Sequence, residues 1–203
     1  ITSYDIERRT AFFFKKRPQR LTEEGDLDFF MRDVARAATA APTFFEPVCI
    51  HPIGRNDHRM CLIDGTLFAN NPAMNALIEA RKIYPRAARF VVLSLGTGLT
   101  TRRYTFEAMR NWGYLEWVNP AEGVPIVSMA SDGQSESVGH LMRKLPQVEY
   151  VRVDSELTTV NEAIDDASEQ NIHRLEQLAE TMIEAHDEQL SEMADLLARR
   201  CRR

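Results

Sequence analysis

The sequence lacks three features, and each absence narrows the class of protein. Its apolar runs are far shorter than the roughly 18 to 20 residues that cross a bilayer, so we expect no transmembrane helix. Its 25 Lys and Arg residues are outnumbered by 30 Asp and Glu residues, and the formal net charge of −5 argues against a nucleic-acid-binding protein. Three cysteines are too few for a disulfide framework. Their small number therefore predicts a reducing, cytoplasmic location.

What the sequence does contain is the composition of a globular protein. Of its 203 residues, 44% are hydrophobic, which is enough for a core of ordinary size. No internal repeat, low-complexity tract or linker interrupts the chain. We therefore expect residues 1–203 to belong to one domain.

Strand-like and helix-like segments follow one another along the chain. Apolar runs predict strands at 1–5, 11–15, 48–51, 59–63, 89–95 and 148–153. The second run, AFFFK, is apolar on both faces, which is typical of the interior of a sheet. Helical spacing predicts a helix that Asp26 caps and that ends before Pro42, a helix after Asn71-Pro72, mostly helix over 104–145, and one long amphipathic helix over 165–203. This order predicts an α/β fold with its site at the carboxyl ends of strands.

Two cysteines and two histidines flank the predicted turn at 54–57 and raise the question of a zinc site. Because side chains alternate along a strand, this turn places Cys49, His51 and His58 on one face and Cys61 on the other. Three converging ligands are fewer than the four of a structural zinc site. The pattern therefore favours a hairpin with small apolar cysteines and exposed histidines over a metal centre.

The stretch LIDGTLFANNP, at 62–72, places Asp64 at the end of a predicted strand and directly before Gly65. Asp-Gly after a strand is common turn chemistry, and this interpretation is the simpler one from the residues alone. The alternative is a catalytic base that the sheet presents at its edge. Asn70 and Asn71 are better explained as turn and helix-cap residues than as catalytic groups.

Four stretches in order resemble the carboxyl-terminal part of a bacterial patatin-like phospholipase domain: ARAATAAPTFFEPV, LIDGTLFANNPAMNALIEA, FVVLSLGTG and IDDASEQNIHRLEQLA. The resemblance covers most of 33–178. It implies a three-layer α/β/α fold with a mostly parallel central sheet, of which the amino-terminal part is missing here. It also implies lipid acyl hydrolysis by a serine–aspartate dyad. The family's Asp-Gly-Gly or Asp-Gly-Ala motif corresponds to Asp64, Gly65 and Thr66, with a larger third residue.

The same resemblance implies roles for other parts of the chain. Gly96, Thr97 and Gly98 correspond to a patatin loop, which we expect at the same edge of the sheet as Asp64, where it lets backbone pass close to the aspartate loop. The implied substrate is a phospholipid or another lipid ester, reached by peripheral contact with a membrane. The family chemistry requires no metal and no organic cofactor, and no nucleic-acid partner is implied.

Two parts of the family pattern are absent: the Gly-x-Ser-x-Gly elbow with the nucleophile, and a glycine-rich oxyanion loop. Ser94, Ser131 and Ser137 each have only the second glycine. Because both parts precede the aspartate in patatins and the chain begins on Ile1, we expect them upstream of this sequence. The alternatives are a catalytically inactive patatin-like lipid-binding or regulatory module, and an α/β interaction domain that uses the helix over 165–203.

Overall fold

The computed structural model describes residues 1–16 and 27–201. Its strands, in chain order, are β1 (Thr2–Asp5), β2 (Thr10–Phe13), β3 (Val48–Ile50), β4 (Met60–Asp64), β5 (Phe90–Leu95) and β6 (Val148–Val153). Its helices are α1 (Met31–Ala38), α2 (Thr66–Ala69), α3 (Ala73–Ile83), α4 (Phe106–Met109), α5 (Tyr114–Trp117), α6 (Pro125–Lys144), α7 (Glu169–Ala185) and α8 (Asp187–Cys201). These elements form two compact units: the first unit joins Ile1–Ala88 with Gly113–Leu145, and the second joins Arg89–Trp112 with the chain from Pro146 onward.

The first unit is built on a four-stranded sheet in the order β2-β1-β4-β3. All three pairings are antiparallel, and the register places Ser3 of β1 opposite Asp64 at the end of β4. Strands β1 and β4 lie inside this sheet. The strand that ends on Asp64 is therefore hydrogen-bonded on both sides.

One face of this sheet packs against α1 and forms the core of the first unit. Leu62 of β4 is fully buried, and Ala37 of α1 packs in the same cluster. The other buried members of the cluster come from β4, from β3 and from the residues that follow β2 and α1: Phe14, Ala40, Val48, Ile50 and Met60. Burying aliphatic side chains on this scale is the main favourable contribution to folding.

The opposite face of the sheet packs against the short helix α2. The ring of Phe68 lies 5.8 Å from that of Phe13 and 6.4 Å from that of Tyr4, measured between centroids. Because side chains alternate along a strand, Phe13 points away from the α1 face that Phe12 and Phe14 contact. Helices therefore cover both faces of the four-stranded sheet.

The turn between β1 and β2 is fixed by Asp5, whose side chain is fully buried. Its carboxylate accepts hydrogen bonds from the backbone N–H groups of Glu7 (3.0 Å) and Arg8 (2.9 Å) and from Nη1 of Arg8 (2.7 Å). Burial alone raises the pKa of Asp5, but these hydrogen bonds and the Arg8 charge outweigh it, so the pKa is lowered. The charged carboxylate therefore fixes the turn that follows β1, and β1 is the strand that pairs with β4.

The second unit contains a parallel pair of strands. β5 pairs with β6 in register from Phe90 opposite Val148 to Leu95 opposite Val153, and a bridge between Leu99 and Glu156 extends the pair. The mixture of helices and strands with parallel pairing confirms the α/β class. Among the described strands, parallel pairing is limited to β5 and β6, because the larger sheet is antiparallel. In the described chain, no helix combines the length and the apolar character of a membrane span.

Three predictions about individual elements are wrong. The AFFFK segment forms β2, which lies at the edge of the four-stranded sheet and not in its interior. The first helix begins at Met31, because the backbone of Phe30 is extended (φ −65°, ψ 137°), and just before it the Phe29 ring packs on Phe14 at 5.1 Å between centroids. The predicted cap, Asp26, is outside the described residues. The long helix predicted over 165–203 is two helices, α7 and α8, separated at His186, whose ring nitrogen Nδ1 lies 2.8 Å from the carbonyl oxygen of Met182. The single-domain boundary stays a prediction.

The prediction about the cysteines is also wrong, because Cys49 and Cys61 form a disulfide. The two residues are direct neighbours across β3 and β4, with Cα atoms 4.1 Å apart. The predicted turn at 54–57 would pair Cys49 with Leu62. In the structure Cys49 pairs with Cys61, a register that differs by one residue. A shift of one residue moves a side chain to the other face of the sheet, so the two cysteines lie on the same face. The disulfide removes the cysteine argument for a reducing compartment, and the cellular location stays a prediction.

We expect Leu62→Ala to lower the free energy of unfolding by about 2–5 kcal/mol, because it leaves a cavity at a fully buried position. The matched control is Leu67→Ala in α2, where the side chain is 57% exposed and the change is about 0.5 kcal/mol or less. Urea unfolding of both variants measures the difference. Equal losses would contradict the assignment of β4 to the core.

Candidate functional site

Asp64 is the last residue of β4, and the backbone on both sides of it is held in place. Its N–H donates to the carbonyl oxygen of Ala40, directly after α1, at 3.0 Å. The N–H of Thr66 donates to Oδ1 of its carboxylate at 2.8 Å. The residue is half-buried, and among the described residues no donor reaches Oδ2. The arrangement therefore fixes one carboxylate oxygen and leaves the other available as a hydrogen-bond acceptor.

Gly65 has a steric reason to be glycine. A Cβ atom built on it would lie 2.5 Å from the backbone carbonyl carbon of Thr2 in β1, closer than any real contact. Its φ of −75° is ordinary, so space and not backbone conformation requires glycine here. Thr66 begins α2 with an exposed side chain, so the larger residue at the third position of the motif causes no crowding.

Asn71 connects the aspartate loop to α6 and to the start of α3. It is 2% exposed, and its backbone N–H donates to Oε1 of Gln134 at 3.0 Å. Its side chain donates to the carbonyl oxygen of Ser135 (3.4 Å) and accepts the N–H of Ala73 (3.2 Å). The sequence predicted Asn71 as the cap of α3, but the helix begins at Ala73, so its cap is Pro72 and Asn71 lies one residue before it.

Asn70 makes a weaker contact to the same helix. Its side chain donates to the carbonyl oxygen of Ser131 at 3.5 Å on the exposed surface. Both asparagines therefore contact α6, and their support of the loop stays a prediction. No role in catalysis follows from these contacts.

The Gly96–Gly98 loop follows β5, in the second unit, and its close neighbour is Asp154 after β6. A Cβ atom on Gly96 would lie 2.1 Å from the Asp154 carboxyl group, and Gly98 has a φ of +106°, which favours glycine. The Asp154 carboxylate accepts the N–H of Gly98 at 3.1 Å and pairs with Arg152 at 2.7 Å. Gly96 thus makes room for Asp154 and Gly98 for the side chain of Leu157, whereas the sequence pattern predicted that this loop lets backbone pass close to the aspartate loop. A common edge with Asp64 stays a prediction.

The three candidate serines have surroundings unlike those of a nucleophile. Ser94 is buried within β5, and its Oγ accepts a hydrogen bond from Nη1 of Arg152 at 2.8 Å. A guanidinium group stays protonated in proteins, so it cannot act as a base for this hydroxyl. Ser131 and Ser137 lie inside α6 and not at a strand-to-helix turn. This agrees with the absence of a complete Gly-x-Ser-x-Gly motif.

Asp154 and Gln134, which hold the two loops described above, were not identified from the sequence. Asp154 directly follows a predicted strand, so its position was a usable signal. Gln134 lies within an ordinary helical pattern, and nothing near it in sequence indicated that it contacts Asn71, 63 residues away.

We expect Gly65→Ala to destabilise the protein by about 1–3 kcal/mol, because the new methyl group has to displace the backbone of β1. Gly133→Ala is the matched control, since this glycine is in α6 and a Cβ atom built on it would meet no atom within 4 Å. Alanine there stabilises the helix by about 0.5–1 kcal/mol. Thermal unfolding measures both changes. A neutral Gly65→Ala variant would show that β1 does not approach the loop this closely.

Comparison with known proteins gives a consistent set of relatives. Patatin-2-Kuras 3 of Solanum tuberosum is 28% identical in an alignment 232 residues long. The alignment covers 98% of this chain and 58% of that protein. Patatin-like protein 1 of Arabidopsis thaliana is 26% identical over 208 residues, which cover 90% of this chain and 49% of that protein. No protein-family model matches the chain.

The extent of these matches is informative in itself. The chain spans about 58% of the length of the Solanum tuberosum patatins and about half of the Arabidopsis thaliana protein. The relatives named here are plant proteins, so the bacterial assignment stays a prediction. The chain is similar to patatins over nearly all of its length, and this confirms the family resemblance that its four sequence stretches indicated.

Proposed function

We propose that the chain is part of a patatin-like lipid acyl hydrolase that cleaves fatty acyl esters of phospholipids or related lipids. In this proposal Asp64 is the general base, and the nucleophilic serine and the oxyanion donors lie outside these 203 residues. The observation that carries the proposal is the Asp64 carboxylate at the end of a central strand, with Oδ1 held by Thr66 and Oδ2 free of donors in the described part of the chain.

The chemistry requires a base within hydrogen-bond reach of the serine. Oδ2 of Asp64 takes the serine proton while the serine oxygen bonds to the ester carbonyl carbon. The bond from that carbon to the alcohol oxygen then breaks, and the alcohol leaves with the proton from Asp64. Water attacks the acyl-serine in the same way: it gives its proton to Asp64, the acyl–serine bond breaks, and the serine oxygen recovers a proton. One carboxylate serves both halves of the reaction.

The alternative is a catalytically inactive module of the same fold. In that case Asp64 is only a turn residue, and its hydrogen bond from Thr66 is its whole role. The two roles differ in what happens when the carboxylate becomes an amide, because asparagine keeps the turn hydrogen bond but cannot accept the serine proton.

We expect Asp64→Asn in the full-length protein to lower kcat for ester and phospholipid substrates by roughly two to four orders of magnitude, with little change in melting temperature. Asp57→Asn is the matched control. Asp57 is exposed and lies in the loop before β4, at the end of the strand opposite to Asp64. Turnover and melting are measured on the same samples. An Asp64→Asn variant with near-normal turnover per folded molecule would assign Asp64 to the turn alone.

We also expect purified residues 1–203 to hydrolyse no ester above background, because a base without its nucleophile and oxyanion donors loses the covalent route. A chromogenic ester assay measures this, with the full-length protein as the positive control. Turnover that a serine-reactive fluorophosphonate abolishes would instead assign the nucleophile to a serine within this sequence.

A further inference from the structure

The short helix α2 separates Asp64 from Asn71, and it needs support at both ends. It has four residues, and a helix of that length is unstable by itself. At its start, the N–H of Asp64 bonds to Ala40, and Gly65 packs directly on Thr2. The same end of α2 carries the Thr66 N–H that holds the Asp64 carboxylate. The position of α2 therefore sets the position of that carboxylate.

The end of α2 is held by α6. Asn71 is 2% exposed, so its backbone N–H cannot be satisfied by bulk water and needs a protein acceptor. Oε1 of Gln134 supplies that acceptor at 3.0 Å, and the Ser135 carbonyl oxygen binds the Asn71 side chain at 3.4 Å. Gln134 lies in the middle of the 20-residue helix α6, which makes it a rigid point of attachment.

We propose that Gln134 is a positioning residue for Asp64: it fixes the end of α2 through the Asn71 N–H and so orients the Asp64 carboxylate through Thr66. The part of this inference that concerns turnover rests on the proposed function of Asp64 as the base. The part that concerns the loop does not, because the contact between Gln134 and Asn71 exists whatever Asp64 does.

The test uses side chains that differ in the acceptor. Gln134→Met keeps the approximate size and removes the acceptor, whereas Gln134→Glu keeps an acceptor oxygen. Gln134→Asn retains the amide but shortens its reach, and it replaces the Met variant if that variant does not fold. Gln170→Met on the exposed surface of α7 is the matched control. Because Glu adds a charge, kcat is compared at the plateau of each pH profile.

Two measurements on the full-length protein separate the loop from the chemistry. Hydrogen–deuterium exchange of peptides covering 64–71 is expected to become about fivefold faster in Gln134→Met and to stay at the wild-type rate in Gln134→Glu and Gln170→Met. We expect kcat to fall about tenfold in Gln134→Met with KM changed by less than about threefold, and to recover in Gln134→Glu.

Unchanged exchange in Gln134→Met would overturn the proposed attachment. Faster exchange with unchanged kcat would overturn its positioning role. Equal losses of kcat in the Met and Glu variants would do the same, because the acceptor would then not matter. If Asp64→Asn keeps normal turnover while Gln134→Met loosens 64–71, the proposed base is wrong and the attachment of α2 to α6 stands.

Discussion

The burial of β4 is the constraint on which the site depends. Met60, Cys61, Leu62 and Ile63 are all buried, and the strand is hydrogen-bonded to a neighbour on each side. Asp64 follows immediately and is only half-buried, so it is the point at which the strand leaves the core. A carboxylate at that position is fixed by a buried strand that is paired on both sides, and it still reaches solvent.

The residues after Asp64 convert this strand end into a defined loop. Gly65 lets β1 approach, Thr66 directs its N–H at the carboxylate, and Asn71 attaches the end of α2 to α6. Each contact involves an element distant in sequence or a backbone group. The loop is thus held by packing and hydrogen bonds from several elements, as the proposed role of Asp64 in proton transfer requires.

The second unit shows the same use of glycine with a different partner. Gly96 leaves space that the Asp154 carboxylate occupies, and the N–H of Gly98 donates to that carboxylate. Arg152 pairs with the same carboxylate while donating to buried Ser94. This network satisfies polar groups that would otherwise be costly to bury. It also explains Ser94 without a role as nucleophile.

Local apolar runs and turn residues are enough to predict most strand positions, the α/β class and the placement of Asp64 at a strand end. They could not predict the Cys49–Cys61 disulfide, since a one-residue change of register depends on how the whole hairpin packs. The start of α1 comes after Phe29 has packed on Phe14 of a distant segment, a contact that no local pattern contains. The break at His186 is accompanied by a local contact to Met182, yet the apolar spacing runs through it without interruption. The contact from Gln134 to Asn71 arises from the tertiary structure alone, because only folding brings residues 63 positions apart to within 3.0 Å.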